Sequence, residues 1–492
     1  MKSESKKMFV NSRVECVFCL CISLAISFCA LIASPMHIWN KGMVWGDSSV
    51  FRTVAMMMEK GYVPYRDTFD HKGPVLYFLN YWGDLISRDW GVWFIECICL
   101  SGFLVATYFE ARLLLSRLGA AVISLLTLVP FLKFFDGGNI TEEYSLMFVA
   151  VSLYIFTDYF LNDRITNFRL VVCGFCCAIV LLLRPNLVAP WAAMCLMVLC
   201  FSVWEKKYSD ILRFVLWFLL GMMIAIVPFL VYLAINGALD DFWNCYFVFN
   251  MAYTSGRSDI MGKISAFWGF LKEPIYFLSM LVSIVLAVFK RKKSDYANLI
   301  FVFVLTLFIS MGGQVRPSYS TALIPIVVYP VARILSEIKS RRIIYAVALA
   351  FLLVGVVATP IISVFKQTAA AFSTRHDSKI DPEFSRIFEV VKENTTQDDR
   401  ISVFGNYDFI YIYTDRVHAT RYSYQQPIDD FGPEILNEYF DGLQNELPKI
   451  VISFDSAPQE RMNDFLNHNN YVQIYEKSEF GGLRVYKNQT NF

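Results

Sequence analysis

Trp45-Gly46-Asp47-Ser48-Ser49, Gly61-Tyr62-Val63-Pro64-Tyr65-Arg66-Asp67 and Phe69-Asp70-His71-Lys72-Gly73-Pro74 follow one another directly after the first long apolar run of the chain. An acid at the exit of that run leads into Phe51, Val54, Ala55 and Met58, spaced i, i+3, i+4, i+7, with Arg52 and Glu59 on the other face. The pattern predicts a helix lying in a membrane interface. Asp47, Ser48 or Ser49 suits its N-cap. Gly61 ends it, and Pro64 and Lys72-Gly73-Pro74 stop any continuation. The aromatic and apolar residues of 75–87, among them Leu76, Tyr77, Phe78, Tyr81 and Trp82, predict a second interfacial helix.

Outward from this stretch the chain is a membrane protein. Of its 492 residues 56% are hydrophobic, and the mean hydropathy is +0.45, far too apolar for a soluble domain of this length. Runs long enough to span a bilayer lie near 15–38, 90–111, 119–135, 143–161, 168–183, 187–204, 211–235, 273–289, 297–311, 318–335 and 343–365. They predict about eleven transmembrane helices. The first run is too long for a signal-peptide core and is expected to remain as an anchor. The net charge of +1 implies no polyanionic partner, which argues against nucleic acid.

Loop charge sets the expected sidedness. Lys2, Lys6, Lys7 and Arg13, then Arg112 and Arg117, Arg164 and Arg169, Lys206, Lys207 and Arg213, the run Lys290-Arg291-Lys292-Lys293, and Arg333, Lys339, Arg341 and Arg342 all fall on one side if each run crosses once. With that side cytoplasmic, the loops 39–89, 136–142, 184–186, 236–272 and 312–317 and the tail from 366 face outward. All 12 cysteines precede residue 246, so the tail must fold without disulfides. The tail alternates strand patterns (401–405, 450–454, a hairpin of 471–476 and 483–487) with helical ones (432–446, 457–468). It predicts a small extracytoplasmic α/β domain, 366–492, able to fold alone, after a transmembrane domain of 1–365. It carries no Gly-rich phosphate fingerprint.

The acid after the first span, the interfacial helix and the P-Y-R-D…D-H-K-G-P turn together resemble the first external loop of GT-C membrane glycosyltransferases. The likeness is to the group of protein O-mannosyltransferases, the aminoarabinose transferase and the RgtA-like enzymes. It covers roughly residues 40–330 in pattern and is specific mainly at 45–74. It implies sugar transfer from a polyprenyl-phosphate donor on the outer membrane face, with membrane lipids around the protein and an envelope glycan, lipid or protein as acceptor. Such chemistry needs a base for the acceptor hydroxyl and cations for the departing phosphate.

The resemblance places the general base at Asp47, a residue equally suited to a helix N-cap. Lys72 matches the family's basic residue at the donor phosphate, although the turn reads Lys-Gly-Pro rather than Lys-Pro-Pro. Asp67, Asp70 and His71 complete a polar loop. Asp70 and His71 could take a divalent cation, the one cofactor these residues allow, although a D-x-D is absent. Asp136-Gly137-Gly138-Asn139-Ile140-Thr141-Glu142-Glu143 opens another helix. Glu142 or Glu143 would orient the acceptor or assist the base, whereas Asn139 or Thr141 as cap with the glutamates opposing the dipole is the structural alternative. Arg184 and Arg316, outward arginines at helix ends, suit phosphate or headgroup contact. Tyr319 resembles the tyrosine of the family's His-Tyr pair, with serine in place of the histidine. Asp240, Asp241, Trp243, Asn244, Tyr246, Tyr253 and Arg257 suit stacking on sugars or an aromatic belt.

The expected enzyme is an inverting glycosyltransferase, a hexosyl- or pentosyltransferase, of a bacterial cytoplasmic membrane. An O-antigen-type polymerase or ligase differs by its lipid diphosphate donor. A transporter or flippase would show repeated halves or mid-membrane charge, and no repeat is visible.

Overall fold

The computed structural model describes residues 2–39, 43–257, 259–337, 382–431, 433–477 and 482–490. Two compact units emerge. One comprises Met1–Asn40, Trp93–Phe229 and Arg257–Arg375; the other comprises Lys41–Val92, Leu230–Gly256 and His376–Phe492.

The first unit is helical. Among the described residues of the whole chain, eight helices are long and apolar enough to cross a membrane, or nine if a bent pair counts as one span. Ten of the eleven apolar runs coincide with helices. The run at 168–183 forms a shorter helix, Asn167–Leu181, and the run at 273–289 belongs to the pair Ile260–Phe270 and Pro274–Phe289, which meet at 92°. Pro274 stands at the first position of the second helix of that pair, where its missing N–H costs nothing. The eleventh run, 343–365, lies outside the described residues.

Small residues let two of these helices touch by their backbones. A Cβ at Gly174 would overlap the Phe218 carbonyl, and one at Gly221 the Val171 carbonyl. Lipid tails are as apolar as leucine, so close packing of this kind is what holds such helices together. Ion pairs link several of the basic loops to one another. Lys207 meets Asp163 and Glu205, Lys293 also meets Glu205, Lys290 and Arg333 meet Glu337, and Arg333 meets Asp295. Arg112 and Arg117 likewise share Glu15.

The second unit has a five-stranded sheet: β1 Arg400–Val403, β2 Val417–His418, β3 Ile450–Ser453, β4 Tyr471–Lys477 and β5 Leu483–Asn488. Their order is β2-β1-β3-β5-β4. β1 runs parallel to β2 and β3, and β5 runs antiparallel to β3 and β4. The predicted strands and the helices Pro433–Glu446 and Gln459–His468 are present. The two-residue β2 and the helices Pro382–Asn394 and Phe409–Thr414 were not expected.

The external loop Lys41–Val92 belongs to the same compact unit as the tail. The core built by Phe384, Ile387, Val403, Phe409, Ile410 and Ile452 also contains Met43 and Met56. Fully burying each such methionine contributes roughly 1.5–3 kcal/mol. The helices Gly46–Glu59 and Pro74–Ile86 are both present. The polar face of the first is not open to solvent at Arg52. Arg52 is 7% exposed and donates to Asp84 at 2.9 Å and to the Arg88 carbonyl. A buried guanidinium paired this way ties the two helices together.

Candidate active site

Asp47 stands in the first turn of helix Gly46–Glu59 and is exposed. The N-cap is Trp45, and no side chain caps the helix; Ser49 Oγ donates instead to the Gly46 carbonyl. None of the three expected cap residues therefore acts as one. Gly46 has φ +55°, a left-handed conformation that glycine adopts without penalty and that swings the chain into the helix. Trp45 packs edge-on against Phe384 and tilted against Phe409. The Val44 amide donates to Tyr413 Oη at 3.2 Å. The segment presenting Asp47 is thus clamped from the tail. Among the described residues the Asp47 carboxylate makes no hydrogen bond or ion pair, and its charge is felt at Tyr424.

The turn that follows is over-determined. Asp67 Oδ2 accepts the Val63 amide at 2.7 Å, and Arg66 holds both its oxygens. Burial raises the Asp67 pKa, but these donors outweigh it and hold the carboxyl below its ordinary range. Asp67 therefore shapes the turn. Asp70 is 2% exposed and accepts from Tyr77 Oη at 2.8 Å, Tyr424 Oη at 2.8 Å and the His71 amide at 2.7 Å. Burial pushes the Asp70 carboxyl up, while Lys72, Tyr424 and Tyr77 pull it down. Burial and the Asp70 charge drive the Tyr77 and Tyr424 phenols well up, so both remain donors. With its oxygens so engaged, Asp70 offers little to a cation. Among the described residues no group of three or more His, Cys, Asp or Glu could hold a metal ion.

Lys72 is half-buried, with Nζ 2.8 Å from His71 Nε2 and 5.9 Å from the Phe51 ring centre. Its carbonyl accepts from Tyr65 Oη and Tyr77 Oη. The tail closes over this turn: Phe69 N donates to the Arg421 carbonyl, and Arg421 Nε donates to the Tyr65 carbonyl. Of the residues suited to stacking on sugars, Tyr246 is fully buried and stacks on Phe242, so it belongs to the core. Asp241 pairs with Arg421. Trp243 is exposed.

In the helical unit, Gly137, Gly138 and Asn139 all have positive φ. A Cβ on Gly138 would collide with Glu96 Oε1, and the Asn139 amide donates to that same oxygen. The helix Thr141–Asn162 is capped by Ile140 without a side-chain bond, so neither Asn139 nor Thr141 caps it. Asn139 Oδ1 accepts from Tyr144 Oη, and Thr141 Oγ1 donates to Glu142 Oε2 at 2.8 Å. Glu142 Oε1 pairs with Arg184, whose guanidinium lies 4.6 Å from the Tyr319 ring centre. Glu142, Arg184 and Tyr319 are therefore brought together. Arg184 is held by an internal carboxylate rather than extended to headgroups. Glu143 is 7% exposed and lies beside Glu96. Arg316 is exposed and bonds Gln314 at 3.2 Å.

Asp47, Asp67, Asp70, His71 and Lys72 thus belong to one unit, and Glu142, Glu143, Arg184, Arg316 and Tyr319 to the other. Sequence reasoning missed Tyr424 and Glu96. Tyr424 lies 354 residues from its partner Asp70, and Glu96 is hidden inside an apolar run.

Residues 3–343 match the family model described as "Putative competence-induced protein Ccs4 N-terminal domain". No curated protein matches. Among solved structures, ArnT from Cupriavidus metallidurans bound to undecaprenyl phosphate is similar, with 13% identity, 96% of this chain and 98% of that chain covered, and a TM-score of 0.64. The Archaeoglobus fulgidus oligosaccharyltransferase is also similar. Tethered to an acceptor peptide, it has 12% identity, 96% and 74% coverage and a TM-score of 0.50; its apo form has 14% identity with the same coverage and score. The expected likeness to the GT-C group holds at the level of fold. A multi-pass helical protein with this fold and a match across residues 3–343, the chain belongs to the family of the Ccs4 N-terminal domain.

Proposed function

We propose that this protein transfers a sugar from a polyprenyl-phosphate donor to an envelope glycan, lipid or protein on the outer face of a bacterial cytoplasmic membrane. The observation that carries the reading is the exposed Asp47 carboxylate, without an intramolecular partner among the described residues, on a segment clamped by Trp45 and Val44. It sits on a fold shared with an aminoarabinose transferase described with undecaprenyl phosphate bound. A base must meet its substrate's proton, and a carboxylate already engaged elsewhere would not.

In this reading Asp47 takes the proton of the acceptor hydroxyl as its oxygen attacks the sugar C1. The bond from C1 to the phosphate oxygen breaks in line, the anomeric centre inverts, and polyprenyl phosphate departs. Lys72, and independently Arg316, are the cations proposed for phosphate; Arg184 would serve it only by exchanging its Glu142 partner for phosphate. Tyr319 supports Arg184, and Glu142 and Glu143 are proposed to serve the acceptor. Asp70 holds the turn and Asp67 its entry. The basic loops support a cytoplasmic N-terminus and an extracytoplasmic tail.

Mass spectrometry of envelope glycans from a deletion strain would name the product. Identifying the lipid released by purified protein tests the donor class: a monophosphate supports the proposal, and a diphosphate would replace it with a polymerase or ligase.

A further inference from the structure

Asp70, His71 and Lys72 form a chain of contacts as well as of sequence. Asp70 Oδ1 lies 3.4 Å from His71 Nδ1, and His71 Nε2 lies 2.8 Å from Lys72 Nζ. An ammonium group has only donors, so Nε2 must accept, and the imidazole is neutral with its proton on Nδ1. That proton faces Asp70 Oδ1 and Tyr424 Oη, the latter also at 3.4 Å. Asp70 is itself immobilised by the Tyr77 and Tyr424 hydroxyls and the His71 amide. The imidazole lies against the Phe249 and Tyr253 rings, each centroid 5.4 Å away and the two stacked on each other at 5.9 Å, and Asn250 Nδ2 donates to the His71 carbonyl.

We propose that His71 is a positioning residue that holds the Lys72 ammonium at a fixed place for an anionic ligand, the phosphate of a lipid carrier. The inference rests on the function proposed above. The choice of holder has a physical consequence. A carboxylate in contact with Lys72 would fix it but cancel its charge. A neutral imidazole fixes it by one hydrogen bond and leaves the full positive charge and two N–H donors for phosphate oxygens. The buried carboxylate stands one ring further off, where it orients the imidazole without touching the cation.

The test is binding of undecaprenyl phosphate to the full-length protein in nanodiscs, with thermal stability measured alongside. His71→Phe keeps a ring against Phe249 and Tyr253 but cannot accept, whereas His71→Gln retains an acceptor oxygen. Losing an oriented charge-assisted contact typically weakens binding about tenfold or more. His71→Phe should show that loss, and His71→Gln should stay within about threefold of the native protein. In a Lys72→Met background, His71→Phe should add nothing further. If His71→Phe binds like the native protein while Lys72→Met is weak, the positioning role is wrong and the phosphate role of Lys72 stands. If His71→Phe costs as much in the Lys72→Met background as alone, His71 acts independently and the proposal also fails. If the native protein shows no saturable binding, or Lys72→Met binds normally, the phosphate reading itself falls and the inference with it.

Discussion

At the scale of single residues, the external loop separates carboxylates by what surrounds them. Asp47 is exposed and without an intramolecular partner among the described residues, Asp67 is consumed by a turn, and Asp70 is buried under three donors. Asp47→Asn should therefore leave thermal stability and undecaprenyl phosphate affinity unchanged. It should lower turnover by about 10²–10⁴, the usual contribution of a positioned base. Sugar transfer in nanodiscs reads this directly, and near-native turnover would exclude Asp47 as the base. Asp408 is a different case. It is fully buried, neither carboxylate oxygen finds a well-aligned partner, and burial pushes its pKa up to about 7, with Ser423 only partly opposing. Its folded-state pKa exceeds the ordinary value, so the native state holds a proton that the unfolded chain has lost between about pH 4 and 7. Stability contributed by this group falls as pH rises through that window. Asp408→Asn should gain over the native protein across the same window and level off above it, by on the order of 2–4 kcal/mol. Melting temperatures compared at pH 5 and pH 8 would show it. His418 slopes the other way. Burial lowers its pKa to about 4, so its stability is complete above the unfolded value near 6.5 and is lost as pH falls from there toward 4. Asp408→Asn should consequently make acid destabilisation steeper.

At the scale of elements, the helical unit depends on contact at glycines. Gly174 and Gly221 each face a carbonyl of the other's helix, so an added methyl meets backbone that cannot rotate away. Gly174→Ala should force the helices Asn167–Leu181 and Tyr208–Ile235 apart and destabilise the protein by about 1–3 kcal/mol, read as a drop in melting temperature. Existence of both helices was legible, because continuous apolar composition is a strong signal over these lengths. Their crossing point was not, since any small residue in an apolar run reads alike. The amphipathic pattern at 51–58 marked the helix, but not the partner that meets its polar face. Arg52 reads as a solvated face until Asp84, on another helix, appears beside it.

At the scale of the molecule, the tail is part of the machinery that shapes the external loop. It supplies Tyr424 to Asp70, Tyr413 to Val44, and Phe384 and Phe409 to Trp45. Deleting residues 376–492 should make the loop 43–86 sensitive to protease and abolish undecaprenyl phosphate binding, even where the helical unit still inserts. For the same reason a tail fragment expressed alone would expose the core surface that covers Met43 and Met56 and should melt well below the full-length protein. Sidedness is testable in a Cys-less background with an impermeant maleimide. Asp430→Cys should label from outside and Lys292→Cys should not, both positions being exposed. The reverse pattern would overturn the proposed orientation.

The sequence by itself determined the membrane class, the apolar runs and their helices, the change to strand and helix patterns in the tail, and the loop at 45–74 as the place to look for chemistry. These rest on composition, periodicity and local motifs, which the chain states within a few residues. Tertiary structure alone decided that Asp47 has no capping role, that Asp70 is buried under Tyr77 and Tyr424, that Arg184 is paired with Glu142, and that the loop and the tail form one unit. Each of these depends on which distant side chain arrives at a given carboxylate or cation. Partners separated by 354 positions in one case and 42 in another leave no periodic trace. A buried charge or hydroxyl is stable only where such a partner meets it, and that is a property of the folded chain.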